Sequence, residues 1–122
     1  ADAHGKNYSM IYERDGRRLA PLYDLVCTLA WPELSRNLAM RIGSARHINE
    51  INAGHWHKMS VKAGLGWPMI RERISLIVEQ VLKKISAVAE HAIEVGIASQ
   101  AVGNLSKIIS DRALRARDDW GR

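Results

Sequence analysis

The sequence predicts a mainly α protein, all-alpha apart from one N-terminal β-hairpin, and three observations predict it. Apolar residues recur at a 3.6-residue period from Ile70 to Ile93, which is the signature of one long amphipathic helix. A second periodic segment, from about Ser99 to Asp119, follows the break at Gly96. The one strong hairpin signal is Asp15-Gly16, set between strand-forming residues near the start of the chain.

Taken in order, residues 8–23 read as that hairpin. Tyr8 to Tyr12 supply β-branched and aromatic residues, Arg17 to Tyr23 return, and Pro21 suits an edge or a strand end. Asp24 to Ala30 is a short apolar stretch closed by Trp31-Pro32, read as a turn or a helix of two turns. Leu38 to Ile42 is a short strand or a helix end, stopped by Gly43. Residues 43–52 read as loop, with a short extended piece at His47 to Ile51.

From Asn52 the chain turns helical. Trp56, Met59, Ser60 and Ala63 share one face of a short helix that Gly64 and Gly66 end. Pro68 is tolerated in the first turn of the long helix. Its stripe of Ile70, Ile74, Ile77, Val78, Val81, Leu82, Ile85, Val88, Ala89, Ala92 and Ile93 is expected to be core. The last helix is expected to bury Val102, Leu105, Ile108, Ile109, Ala113 and Ala116 and to expose Arg112, Arg115 and Arg117.

Length and composition bound the function. The 122 residues suit a single domain with a modest core. Hydrophobic and charged fractions of 47% and 25% are those of a globular protein. No apolar run reaches the roughly 20 residues of a membrane span, so no membrane partner is expected, and no signal-peptide pattern opens the chain. One cysteine, Cys27, allows no internal disulfide, so a cytoplasmic location is expected. The formal charge of +5 asks for an acidic partner: nucleic acid, ATP phosphates or an acidic protein surface.

The chemistry concentrates in Asp2-Ala3-His4-Gly5-Lys6-Asn7 and Tyr23-Asp24. Kinase-type phosphoryl transfer uses a carboxylate to orient the attacking hydroxyl, then an Asn, then a second Asp, the last two holding magnesium. Asp2 and Asn7 have the Asp, four residues, Asn spacing of a kinase catalytic loop, and Asp24 follows after one hairpin. With Leu19-Ala20-Pro21-Leu22-Tyr23-Asp24, the pattern resembles the carboxy-terminal part of the HipA-type serine/threonine kinases, the toxin halves of bacterial toxin–antitoxin pairs. The resemblance is tightest over residues 2–42, including Asn37 to Ile42, and looser through the helices. The Lys at position 6, with His4 where ordinary kinases place their catalytic-loop Lys, favours the HipA type.

The resemblance implies the following expectations. The fold is a kinase-like helical C-terminal lobe whose single hairpin carries the metal-binding residues. Asp2 is the catalytic base, Asn7 and Asp24 are the Mg2+ ligands, and His4, Lys6 and Tyr23 lie against the ATP. A protein substrate of the translation machinery, an aminoacyl-tRNA synthetase, and a helix-turn-helix antitoxin are the implied partners, with DNA association through the antitoxin. A kinase also needs a cover for the phosphates and a Lys held by a Glu. The motif begins at residue 2, so 1–122 is expected to be one domain, a C-terminal lobe without its nucleotide-binding lobe and inactive alone.

Each residue also has an ordinary reading. Asp2 is then a solvated carboxylate, His4 and Lys6 are surface side chains, Asn7 caps a turn and Asp24 caps a helix. Two other functions compete. One is a basic helical nucleic-acid-binding module, built on the Arg-rich last helix with His55, His57, Lys58 and Lys62. The other is a metal-dependent hydrolase using Asp2, His4 and Asp24, which is short of ligands.

Overall fold

The computed structural model describes residues 3–120. Two small antiparallel strand pairs precede three helices. The strands are β1 (Met10–Glu13), β2 (Gly16–Leu19), β3 (Asn37–Ile42) and β4 (Ala45–His47). The helices are α1 (Ala53–Lys62), α2 (Trp67–Glu94) and α3 (Ser99–Trp120). Single 3-10 turns at Gly5–Asn7, Thr28–Ala30 and Ile48–Glu50 join them.

The expected fold class needs correction on two points. There are two hairpins rather than one, so the protein is mainly helical but not all-α. The first hairpin also does not carry the proposed metal ligands on its strands. Asn7 ends the 3-10 turn before β1, and Asp24 lies in the irregular stretch after β2. Among the described residues no group of three or more His, Cys, Asp or Glu side chains gathers as a metal site.

In the first hairpin Glu13 pairs with Gly16, so the two-residue loop is Arg14-Asp15 and the turn sits one residue earlier than Asp15-Gly16 suggests. Arg18 Nε donates to Glu13 Oε1 at 2.7 Å across the strands, an exposed pair of small energetic weight. β2 is exposed along its length and only Ile11 of β1 is half-buried, so this hairpin stands off the helices.

The second hairpin is tied into the helical body. Ile42 pairs with Ala45 across Gly43-Ser44, and Gly43 has φ 59. A positive φ at the first loop residue alone is the type II′ pattern. Gly43 is required for a second reason: a Cβ there would lie 2.3 Å from the His55 carbonyl oxygen. The backbone of β3–β4 thus rests directly on α1, and Ala45 is fully buried beside it.

The helix ends follow from their sequence signals. Asn52 Oδ1 accepts the His55 N–H at 3.3 Å and caps α1. At its other end Leu65 N–H donates to Ser60 O at 2.9 Å and Gly64 N–H to Val61 O at 3.1 Å. Gly64, at φ 66, makes this a Schellman close. The same closure recurs after α2, where Ile97 N–H donates to Ala92 O at 3.0 Å and Gly96 has φ 96. The His57 and Trp67 rings meet edge to face at 5.1 Å and hold α1 to the start of α2.

The core lies mainly between α2 and α3. Val78, Val102 and Ala113 are buried there, and each valine contributes about 1.5–3 kcal/mol relative to exposure. The expected buried face of α3 holds, but Arg112, expected on its exposed side, is half-buried. The α2 stripe is wider than α3 can cover: Ile74, Val81, Leu82 and Ile85 are half-buried, but Ile77 and Val88 are each 61% exposed.

Candidate active site

The site is assembled by a chain that leaves, turns back and is clamped. At Gly5–Asn7 the Asn7 N–H donates to His4 O at 3.0 Å. β1 and β2 then carry the chain out and back, and Ala20 N–H donates to Ser9 O at 2.8 Å beyond the last strand pair. Pro21 has no N–H to continue the ladder, and the chain peels away over the first turn. Tyr23 fixes the result. Its hydroxyl donates to Lys6 O at 3.0 Å and bonds Ser9 Oγ at 2.8 Å.

Directly after this clamp, Asp24 has φ 55, the one positive φ at a non-glycine among the described residues. Asp tolerates the left-handed region better than most residues, yet such positions store of the order of 1–3 kcal/mol and concentrate at functional sites. The turn throws the following residues under Asn7. A cavity of about 200 Å³ results, lined by Asn7, Tyr23, Asp24, Leu25, Cys27 and Leu29 among others. The Arg36 guanidinium donates to Thr28 O at 3.4 Å and steadies the cavity floor.

Three of the residues singled out from the sequence therefore share one cavity: Asn7, Tyr23 and Asp24. His4 is half-buried and does not line it, and Lys6 is exposed and contributes its carbonyl to the Tyr23 clamp. Asp2 lies outside the described residues. Asp24 caps no helix, because the next helical turn starts at Thr28 with Cys27 before it. The donors offered by Asn7 and Asp24 are an amide oxygen and a carboxylate. Both are hard oxygens of the kind Mg2+ takes, and with one charge between them they leave room for phosphate oxygens and water.

The apolar floor escaped the sequence reading. Leu25, Val26, Cys27 and Leu29 form one wall and Ile48, from the turn after β4, forms another. A short apolar run without a period carries no helix or strand signal, and Ile48 arrives only through the second hairpin.

The sequence profile of the HipA-like C-terminal domain matches residues 1–89. The chain belongs to that family. A Sinorhizobium fredii protein, Y4mE, named only provisionally as a kinase, is 38% identical over 117 residues, covering 96% of this chain and 28% of its own. The HipA serine/threonine-protein kinase toxin of Shewanella oneidensis is 38% identical over 68 residues, covering 56% of this chain and 15% of its own. The fold matches a chain in the structure of Shewanella oneidensis HipA and HipB with operator DNA at a TM-score of 0.85 and 25% identity. That match covers 99% of this chain and 29% of the other. The HipA-like chain thus spans less than a third of the length of the relatives it matches.

Proposed function

We propose that this HipA-like domain is the C-terminal catalytic-lobe part of a protein serine/threonine kinase that transfers the γ-phosphoryl group of ATP to a protein hydroxyl. The observation that carries the reading is the convergence of Asn7 and Asp24 on one cavity, held by the Tyr23 clamp and by a strained backbone at Asp24.

In this reading Asp2 orients the acceptor hydroxyl and takes its proton as the oxygen attacks the γ-phosphorus, while the bond from that phosphorus to the β,γ-bridging oxygen breaks and ADP leaves. Asn7 and Asp24 would hold Mg2+, which when bound neutralises phosphate charge. Tyr23 lies against the nucleotide and keeps the Asn7 turn and Asp24 in register. His4 and Lys6 flank the nucleotide from the same turn, and the apolar floor excludes water beneath it. Because kinase catalysis is mostly positioning and charge stabilisation, a phosphate cover and a Lys–Glu pair from residues outside these 122 complete the site, and the 122 residues alone are inactive. A translation-machinery protein, such as an aminoacyl-tRNA synthetase, is the proposed substrate, and a helix-turn-helix antitoxin with its DNA the proposed partner, in a cytoplasmic setting. The HipB and operator DNA of the matching structure support the antitoxin.

The test is Asp2→Asn in the full-length protein that contains this chain. Label transfer from ATP should fall by orders of magnitude while ATP affinity stays nearly intact. Equal loss of both would mean that Asp2 is not the base.

A further inference from the structure

On the far side of Leu29 from the active-site cavity lies a second, smaller one. It measures about 160 Å³ and is lined by Leu29, Asn49, Ile108, Asp111, Arg112 and Arg115. Leu29 borders both cavities. Arg112 and Arg115 are three apart on α3 and present their guanidinium groups on one face. Neither is in a hydrogen bond or ion pair with another described residue. The carboxylate that also borders the cavity, Asp111, is held by Lys107 at 2.7 Å.

This arrangement is unfavourable as it stands. Burial, followed by the neighbouring Arg115, pushes the Arg112 guanidinium below its ordinary value, and Asp119 opposes this only in part. The group stays charged through the usable pH range, so the cost persists at neutral pH. A half-buried guanidinium with a second, exposed one three residues on and an amide at the rim is what a site for an oxyanion requires.

We propose that Arg112, Arg115 and Asn49 form an oxyanion subsite that holds a carboxylate or phosphoryl side chain of the polypeptide substrate, in a cavity that borders Leu29 as the active-site cavity does. The cavity takes one such group and not a nucleotide. An extended peptide advances about 3.3 Å per residue, so an anchor in a cavity that shares Leu29 with the active-site cavity suits a residue close in sequence to the acceptor Ser or Thr. The proposal rests on the kinase reading for its choice of a peptide.

The test follows the arginine Nε–H NMR signals of the full-length protein that contains this chain, assigned with Arg112→Gln and Arg115→Gln. Three serine peptides are titrated in, carrying glutamate, phosphoserine or glutamine near the acceptor, and inorganic phosphate and a DNA duplex serve as further probes. The expected result is saturable shifts of the Arg112 and Arg115 signals with the glutamate or the phosphoserine peptide, and at least a ~10-fold affinity loss in either variant. The stronger of the two arms names the oxyanion. Melting curves confirm that the variants fold, and relief of the like-charge pair should raise the Tm of Arg112→Gln. The proposal is overturned if the glutamine peptide shifts these signals equally, if phosphate binds as tightly as the peptides (an adventitious ion only), or if DNA binds them in preference. Magnesium-ATP, followed at the Asn7 side-chain amide, is titrated separately. Loss of that response would count against the kinase reading without moving the arginine signals.

Discussion

The Tyr23 hydroxyl donates to the Lys6 carbonyl oxygen at 3.0 Å, bridging 17 positions in sequence. Through it the turn that presents Asn7 and the turn that presents Asp24 become one unit. Ser9 Oγ completes the join at 2.8 Å. Tyr23→Phe keeps the ring and removes both bonds, each worth about 0.5–1.5 kcal/mol and nearer the lower figure where exposed. The expected outcome is a loss of about 1 kcal/mol in a denaturant titration. ATP affinity should weaken in parallel, since Asn7 and Asp24 lose their common brace.

Gly43 should be the least replaceable of the described glycines. Gly43→Ala meets a left-handed backbone at φ 59 and the His55 carbonyl oxygen at 2.3 Å. The first effect alone costs about 1–2 kcal/mol, and β3–β4 must also lift off α1. Gly103→Ala is the control, because open space surrounds it within α3; it should stabilise by about 0.5–1 kcal/mol. Chemical melts of the two variants should move in opposite directions.

Glu50 sets a pH-dependent contact. Its carboxylate accepts the Arg46 N–H at 3.0 Å and the His47 N–H at 3.2 Å. Those two bonds, more than the nearby histidines, lower its pKa below the ordinary glutamate value. A depressed folded pKa means the contribution is complete above the unfolded value and is lost as pH falls through the folded one. Stability measured from pH 6 downward should therefore decline more in the native chain than in Glu50→Gln, with the difference appearing below about pH 4.3. Parallel curves would show that Glu50 makes no such contribution.

Much of this was legible in the sequence, for identifiable reasons. The 3.6-residue period and the stops at Gly64 and Gly96 placed α1, α2 and α3 to within a few residues of their observed ends. A hairpin between Asn7 and Asp24 was enough to predict that they meet. The second hairpin was not read, because Ala45-Arg46-His47 has little strand propensity, although Gly43-Ser44 is a two-residue hairpin loop of the right type. Ile77 and Val88 continue the apolar period, but period alone does not say how wide a face the partner helix covers. The left-handed backbone at Asp24 has no local signal either. It follows from the Tyr23 clamp just before it, a contact between distant segments.

That strain yields its own prediction. Asp24→Gly relieves the positive φ and should stabilise the fold by about 1 kcal/mol or more. It should at the same time abolish magnesium-dependent ATP binding, a trade of function for stability. A thermal melt and a nucleotide titration on the same sample check both halves.

The most consequential proposal is that Asn7 and Asp24 gather magnesium on the phosphates of ATP. Its most direct test is the ATP affinity of the full-length protein, with and without Mg2+, in the native form and in Asp24→Asn. Asn keeps the shape and the tolerance for φ 55 and removes only the charge. The native protein should bind ATP far more tightly with Mg2+, and Asp24→Asn should lose this gain while melting normally. An unchanged magnesium-dependent affinity in the folded variant would contradict it.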